Sequence, residues 1–175
     1  MGRLYYITGG AGSGKSEYAE QLAERLHAEL AGPLYYVATM NPAPRDSDAA
    51  ARIAKHQTRR AGRGYTTIEC PTDIAQLRTQ ASKNAVFLLE DLTNLYANEV
   101  YGTSGHPHEI VAPLLELAQQ GGALIIVANE LYSDGITYAP ETATFLRDLA
   151  GLAAELSTAA DQVTEVVYGI PVQLK

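Results

Sequence analysis

The sequence predicts a three-layer α/β/α domain on a mostly parallel sheet, with an antiparallel hairpin at one edge. Three observations predict it. Short, continuously apolar runs recur along the chain, as strands buried on both faces of a sheet do. Helical patterns alternate with those runs, the order that sets successive strands parallel. A glycine-rich loop joins the first apolar run to the first helical pattern.

The elements follow in order. LYYIT (4–8) reads as a strand, and SEYAEQLAERLHAEL (16–30) as an amphipathic helix whose Tyr18, Leu22, Leu26 and Leu30 recur at helical spacing. LYYVAT (34–39) is a second strand and DAAARIAKHQTRR (48–60) a second helix. AVFLLED (85–91) is a third strand, apolar until its two acids, and ALIIVANE (123–130) is a fourth of the same build. TATFLRDLAGLAAELSTAA (142–160) is helical, and QVTEVVYGIPVQLK (162–175) reads as two strands joined around 169–171. No linker, repeat or low-complexity tract divides the 175 residues, which suits one domain over 1–175. Ligands of such sheets bind beyond the carboxyl ends of the strands. That rule directs attention to 8–16, 38–56, 90–98 and 129–140.

Composition narrows the function. Hydrophobic residues make up 46%, as in an ordinary globular protein. A formal net charge of −7 argues against a general nucleic-acid binder. No apolar run approaches the roughly 20 residues of a membrane helix. MGRLYYITGG lacks an apolar h-region and cleavage site, so no signal peptide is expected. The one cysteine, Cys70, has no internal partner and is expected to be structural, in a cytoplasmic protein.

Residues 9–16, GGAGSGKS, fit G-x-x-x-x-G-K-[ST] between a strand and a helix, the context that gives the motif meaning. The backbone of Gly9, Gly10, Ala11, Gly12, Ser13 and Gly14 is expected to curl its amides around phosphate oxygens. The helix N-terminus adds partial positive charge. Lys15 is expected to reach the β- and γ-phosphates as a catalytic residue, and Ser16 to hold Mg²⁺. The motif implies a nucleoside triphosphate and no particular reaction. Glu90 and Asp91 end an apolar strand at the same sheet edge, as an acid serving a hydrated Mg²⁺ would. Spacing leaves open which of the two serves.

ARIAKHQTRR (51–60) sets Arg52, His56, Arg59 and Arg60 on one helical face. Between 49 and 68 there is no acid, yet five of the chain's 13 lysines and arginines lie there. A positive face in an acidic protein suits polyphosphate, so Arg52, Arg59 and Arg60 are expected to bind a triphosphate. A histidine there could attack phosphorus and form a phosphoramidate. Composition and spacing alone nevertheless favour a solvent-exposed histidine.

The P-loop, R-I-x-x-H-x-x-x-R (52–60), E-D-L-T (90–93) with Asn98 beyond it, V-A-N-E (127–130), R-D-L-A-G (147–151) and the closing strands together resemble one family. It is the bifunctional adenosylcobinamide kinase / adenosylcobinamide-phosphate guanylyltransferase family of cobalamin biosynthesis, and the resemblance runs nearly end to end. It implies a P-loop nucleotide-binding fold and two reactions. A nucleoside triphosphate phosphorylates adenosylcobinamide, and GMP then passes from GTP to adenosylcobinamide phosphate. It implies that His56 forms a covalent guanylyl intermediate and that Glu90 is the metal-binding acid. Thr93, Asn98, Asn129 and Glu130 fall on further positions of the pattern. The implied cofactors are GTP, with ATP as an alternative for the kinase step, and Mg²⁺. The implied partners are the two corrinoid substrates and further copies of the chain, as a homotrimer, with no nucleic acid and no membrane segment. Gly12, Ala61, Tyr65 and the segment LYSDGITYAP (131–140) depart from the family's pattern. Three alternatives therefore stand beside the main reading: a paralogue with a different acceptor, a monofunctional P-loop kinase, and a non-enzymatic nucleotide-binding subunit.

Overall fold

The computed structural model describes residues 2–40, 58, 60–102 and 105–175. Its strands are β1 (Arg3–Thr8), β2 (Leu34–Ala38), β3 (Tyr65–Glu69), β4 (Val86–Glu90), β5 (Ala123–Val127), β6 (Gln162–Val167) and β7 (Ile170–Gln173). They form one seven-stranded sheet in the order β3-β2-β4-β5-β1-β6-β7. Every adjacent pair is parallel except β6 with β7, so the expected edge hairpin is present. The α-helices that lie wholly among the described residues are α1 (Lys15–Leu30), α2 (Leu92–Tyr101), α3 (Val111–Gln120) and α4 (Pro140–Ala159).

The pleat explains the three layers. Alternate residues of a strand point to opposite faces. On β4, Val86 and Leu88 face the cluster that buries Leu22 and Leu26 of α1. Phe87 and Leu89 face the other cluster, which buries Leu95 of α2, Leu114 of α3 and Leu156 of α4. All five residues of β5 are buried. Continuous apolar runs are therefore what this sheet requires, and alternation would have failed here.

Three elements were not expected from the sequence. β3 reads YTTIE, and only Tyr65 and Ile68 are even partly covered. It is an edge strand with little apolar signal. α2 begins at an acid that the sequence suggested as a metal ligand, and α3 sits behind the HPHEI segment. Of the expected helix at 48–60, only residues 58 and 60 are described, and both are helical. The hairpin turns at Tyr168–Gly169, slightly ahead of the expected 169–171, with both residues at positive φ.

Cys70 is fully buried after β3, and burial pushes its thiol up to about 11, against a lowering hydrogen bond from Gln76. It packs as a small hydrophobe and is inert at neutral pH.

Glu99 of α2 is a buried carboxylate, 5% exposed. The amides of Asp73 and His106 donate to it at 2.7 and 2.6 Å. One side chain thus pins two loops, and its loss strands both amides. Glu99→Ala is expected to cost about 2–6 kcal/mol, from two unmet amide bonds at roughly 1–3 kcal/mol each. Urea unfolding measures it, and a midpoint unchanged from the parent would refute the pinning role.

Candidate functional site

The site begins where β1 turns into α1. Gly9 has φ of 152°, and a side chain there would put its Cβ 2.5 Å from the Val166 carbonyl oxygen. Gly14, the residue before α1, has φ of 94°. These two positions need glycine for conformation, and Gly9 also for the close approach of β6. Lys15 is 7% exposed and folds back to donate to the Gly10 carbonyl at 3.0 Å. Burial pushes its pKa below the usual lysine range, while Asp91 and Glu90 oppose that shift. A buried ammonium aimed into a polar cleft gains most from a bound anion.

Glu90 closes the other wall. It ends β4, its Oε1 accepts from the Ser16 hydroxyl, and its Oε2 lies 3.4 Å from the Tyr36 hydroxyl. Asp91 is used differently. It caps α2, accepting from the Asn94 amide at 2.7 Å, and its other oxygen accepts from Asn129 Nδ2 at 3.1 Å. The buried Thr39 hydroxyl also brackets its backbone, accepting from the Asp91 amide at 2.6 Å and donating to its carbonyl at 2.8 Å. Burial raises the Asp91 pKa, and Glu90 adds to the rise against the lowering bonds from Asn94 and Asn129. Asp91 is committed to the α2 cap and to Asn129, whereas Glu90 already bonds the Ser16 hydroxyl, so Glu90 and Ser16 form a pair of hard oxygen donors that could meet a cation. That donor set fits Mg²⁺, which keeps several waters and takes few protein ligands. No cluster of three or more His, Cys, Asp or Glu ligands occurs among the described residues.

Arg60 comes from the expected basic stripe, but its environment was not anticipated. It is 6% exposed, with its guanidinium carbon 3.2 Å from the centroid of the Tyr36 ring. Its Nε and Nη1 are buried without a hydrogen-bond partner among the described residues. The segment that carries it is fastened to α1. Arg63 pairs with the buried Glu20 at 2.8 Å and with Glu24 at 2.6 Å, and the Tyr65 hydroxyl donates to the Glu20 carbonyl at 3.2 Å. Lys15, Ser16, Arg60, Glu90, Asp91 and Asn129 line a single cavity of about 430 Å³. His56, Arg52 and Arg59 lie outside the described residues.

The remaining family positions support this cavity. Asn98 donates to the carbonyls of Thr39 and Pro71 at 2.7 and 2.9 Å, tying α2 to the ends of β2 and β3. Thr93 Oγ1 accepts from the Asn129 amide at 3.3 Å. Glu130 turns away, accepting from the Tyr132 amide and the Ser133 hydroxyl, each at 2.7 Å, and so shapes the start of 131–140. Sequence reasoning missed Tyr36, Thr39 and Asn94. Tyr36 lay hidden in an apolar strand pattern, and only its polar tip could have hinted at a cleft.

A family profile described as cobinamide kinase / cobinamide phosphate guanyltransferase matches residues 5–174. The bifunctional adenosylcobalamin biosynthesis protein CobP of Pseudomonas aeruginosa is 30% identical over 175 residues, covering 97% of this chain and 95% of that protein. The bifunctional adenosylcobalamin biosynthesis protein CobU of Escherichia coli is 30% identical over 188 residues, covering 98% and 99%. Among solved structures, the flagellar accessory protein FlaH of Methanocaldococcus jannaschii aligns with a TM-score of 0.56 at 12% identity, over 99% of this chain and 78% of that one. That last likeness is one of fold.

The two acids should separate experimentally. Asp91→Ala removes a helix cap and should cost about 1–2 kcal/mol in urea unfolding. Glu90→Gln should leave unfolding within about 0.5 kcal/mol and instead raise the Mg²⁺ concentration needed for nucleotide binding. The reverse pattern in the two titrations would exchange their roles.

Proposed function

The chain belongs to the cobinamide kinase / cobinamide phosphate guanyltransferase family, and on that premise we propose that it catalyses both reactions in one nucleotide site. In the first, the aminopropanol hydroxyl of adenosylcobinamide attacks the γ-phosphorus of a nucleoside triphosphate, and the diphosphate leaves. In the second, a neutral ring nitrogen of His56 attacks the α-phosphorus of GTP and pyrophosphate leaves. A phosphate oxygen of adenosylcobinamide phosphate then attacks the guanylyl phosphorus and frees the histidine. The observation that carries the reading is Arg60, a buried guanidinium with unmet N–H groups in the cavity that also holds Lys15 and Ser16. Burying two such donors costs free energy that an anion in the cavity would return.

The chain's own groups do the positioning. The amides of 9–14 and Lys15 hold the β- and γ-phosphates, and phosphoryl transfer depends mainly on such placement. The Tyr36 ring fixes the plane of Arg60, so its fork is set before phosphate arrives. Glu90 and Ser16 would hold Mg²⁺, which when bound offsets charge on the phosphate oxygens. Arg52 and Arg59, on the stripe with His56, would serve the triphosphate during guanylylation. GTP is the nucleotide of the second step, and ATP or GTP that of the first. The segment 131–140, lying beyond β5, is where a change of acceptor would be read. A cytoplasmic homotrimer belongs to this reading by family resemblance. No helix among the described residues is long and apolar enough to cross a membrane.

Incubation with α-labelled GTP and Mg²⁺, followed by mapping of the acid-labile adduct, tests the chemistry. The label should map to His56 and vanish in His56→Asn, while phosphorylation of adenosylcobinamide survives. Label on His27 or His106, or label persisting in His56→Asn, would sink the assignment. Arg60→Ala should lower turnover with GTP about ten- to hundredfold, the equivalent of the roughly 1.5–3 kcal/mol in a charged hydrogen bond. Steady-state kinetics reads this, and a loss under twofold would show that the guanidinium does not meet phosphate.

A further inference from the structure

The hairpin at the sheet edge reaches the phosphate loop. The Gly169 amide donates to the Ser13 carbonyl at 2.7 Å, and a Cβ on Gly14 would come within 3.2 Å of Gly169 Cα. Tyr168 stands at the tip of that contact. It is 94% exposed and sits at a φ of 49°, a left-handed conformation that side chains rarely adopt. No hydrogen bond or ring contact engages its side chain among the described residues. Beside it, Ile170 is 64% exposed. An aromatic ring is thus presented to solvent, with backbone strain, by a turn anchored on the nucleotide loop.

The sheet order gives this ring an occupant. β1 delivers the phosphate loop and lies between β5 and β6. On the β5 side stand the acids of β4, with Lys15, Ser16 and Arg60, where the reacting phosphates belong. A nucleotide is linear, with its nucleoside at the end opposite the terminal phosphate. With its phosphates in the loop and its charged end toward Lys15 and Glu90, its nucleoside leaves on the other side, over β6 and β7. We propose that Tyr168 is the platform on which the base of the loop-bound nucleotide stacks. Residues 166–170 read VVYGI, so apart from the Tyr168 hydroxyl the tip offers no side-chain hydrogen-bonding group. A ring face takes any base, since every base has a π-face. The platform therefore holds adenine and guanine alike, and it makes the kinase step tolerant of either nucleotide. This inference rests on the phosphate-loop site proposed above.

The chain contains no tryptophan, so Tyr168→Trp creates a single fluorescent reporter at the tip. ATP and GTP should quench it to similar extents, while inorganic tripolyphosphate, bound in the same loop by calorimetry, should not. Tyr168→Ala should weaken ATP and GTP about tenfold each, within the range of a lost base–aromatic stack. The same variant should keep its affinity for tripolyphosphate and its kcat at saturating nucleotide. The inference is overturned if nucleotides displace tripolyphosphate without quenching the tryptophan, or if Tyr168→Ala binds ATP and GTP like the parent. Failure of tripolyphosphate to bind the parent protein would overturn the loop site itself, and this proposal with it.

Discussion

Glu90 is the point on which the site depends. It ends β4, the strand between β2 and β5, and joins the Ser16 hydroxyl on one side to the Tyr36 hydroxyl on the other. Ser16 begins α1 and Tyr36 carries the Arg60 guanidinium. A single carboxylate therefore sets the distance between the phosphate loop and the cation that faces it. Its neighbour Asp91 lines the same cavity but is bonded to Asn94 and Asn129, whereas Glu90 is bonded to the phosphate-loop Ser16.

The sheet makes that arrangement rigid. β4 and β5 are buried on both faces, and their carboxyl ends cannot move without disturbing two packed clusters at once. Glu90 ends β4, Asp91 follows it and Asn129 stands just past β5, so these side chains inherit the rigidity of the core. The loops are tied in turn. Asn98 fixes the segments after β2 and β3, Glu99 fixes those around Asp73 and His106, and the edge hairpin bonds to Ser13. Lys15 is buried with one carbonyl acceptor, and Arg60 Nε and Nη1 are buried without an acceptor among the described residues. Stability has been given up there, as is usual where a site waits for a charged ligand.

What could be read from the sequence was what rests on local patterns. The phosphate loop, the buried strands, α1, α4 and the edge hairpin follow from periodicity and glycine placement. The α/β fold and the family resemblance are supported by the sheet and by the comparisons. β3 was missed because a strand at a sheet edge buries too little to leave a pattern. α2 was missed because Asp91 looked like a metal ligand rather than a cap. Spacing left Glu90 and Asp91 equivalent, since the bond that distinguishes Asp91 comes from Asn129, 38 positions away in the chain. Arg60 was expected on a basic helical face that meets a triphosphate, with nothing in the pattern to show that it is buried. Its burial against Tyr36 follows from Arg63 meeting Glu20 and Glu24, pairings between distant segments that no local window contains.

The account's central claim is that the cavity between Lys15, Ser16, Glu90 and Arg60 is the triphosphate site. A crystal structure with a non-hydrolysable GTP analogue and Mg²⁺ tests it most directly. The account predicts β- and γ-phosphate oxygens within about 3 Å of Lys15 Nζ and of Arg60 Nε or Nη1, with the Ser16–Glu90 bond opened by the metal. Phosphates bound elsewhere, with Arg60 still without a partner, would contradict it.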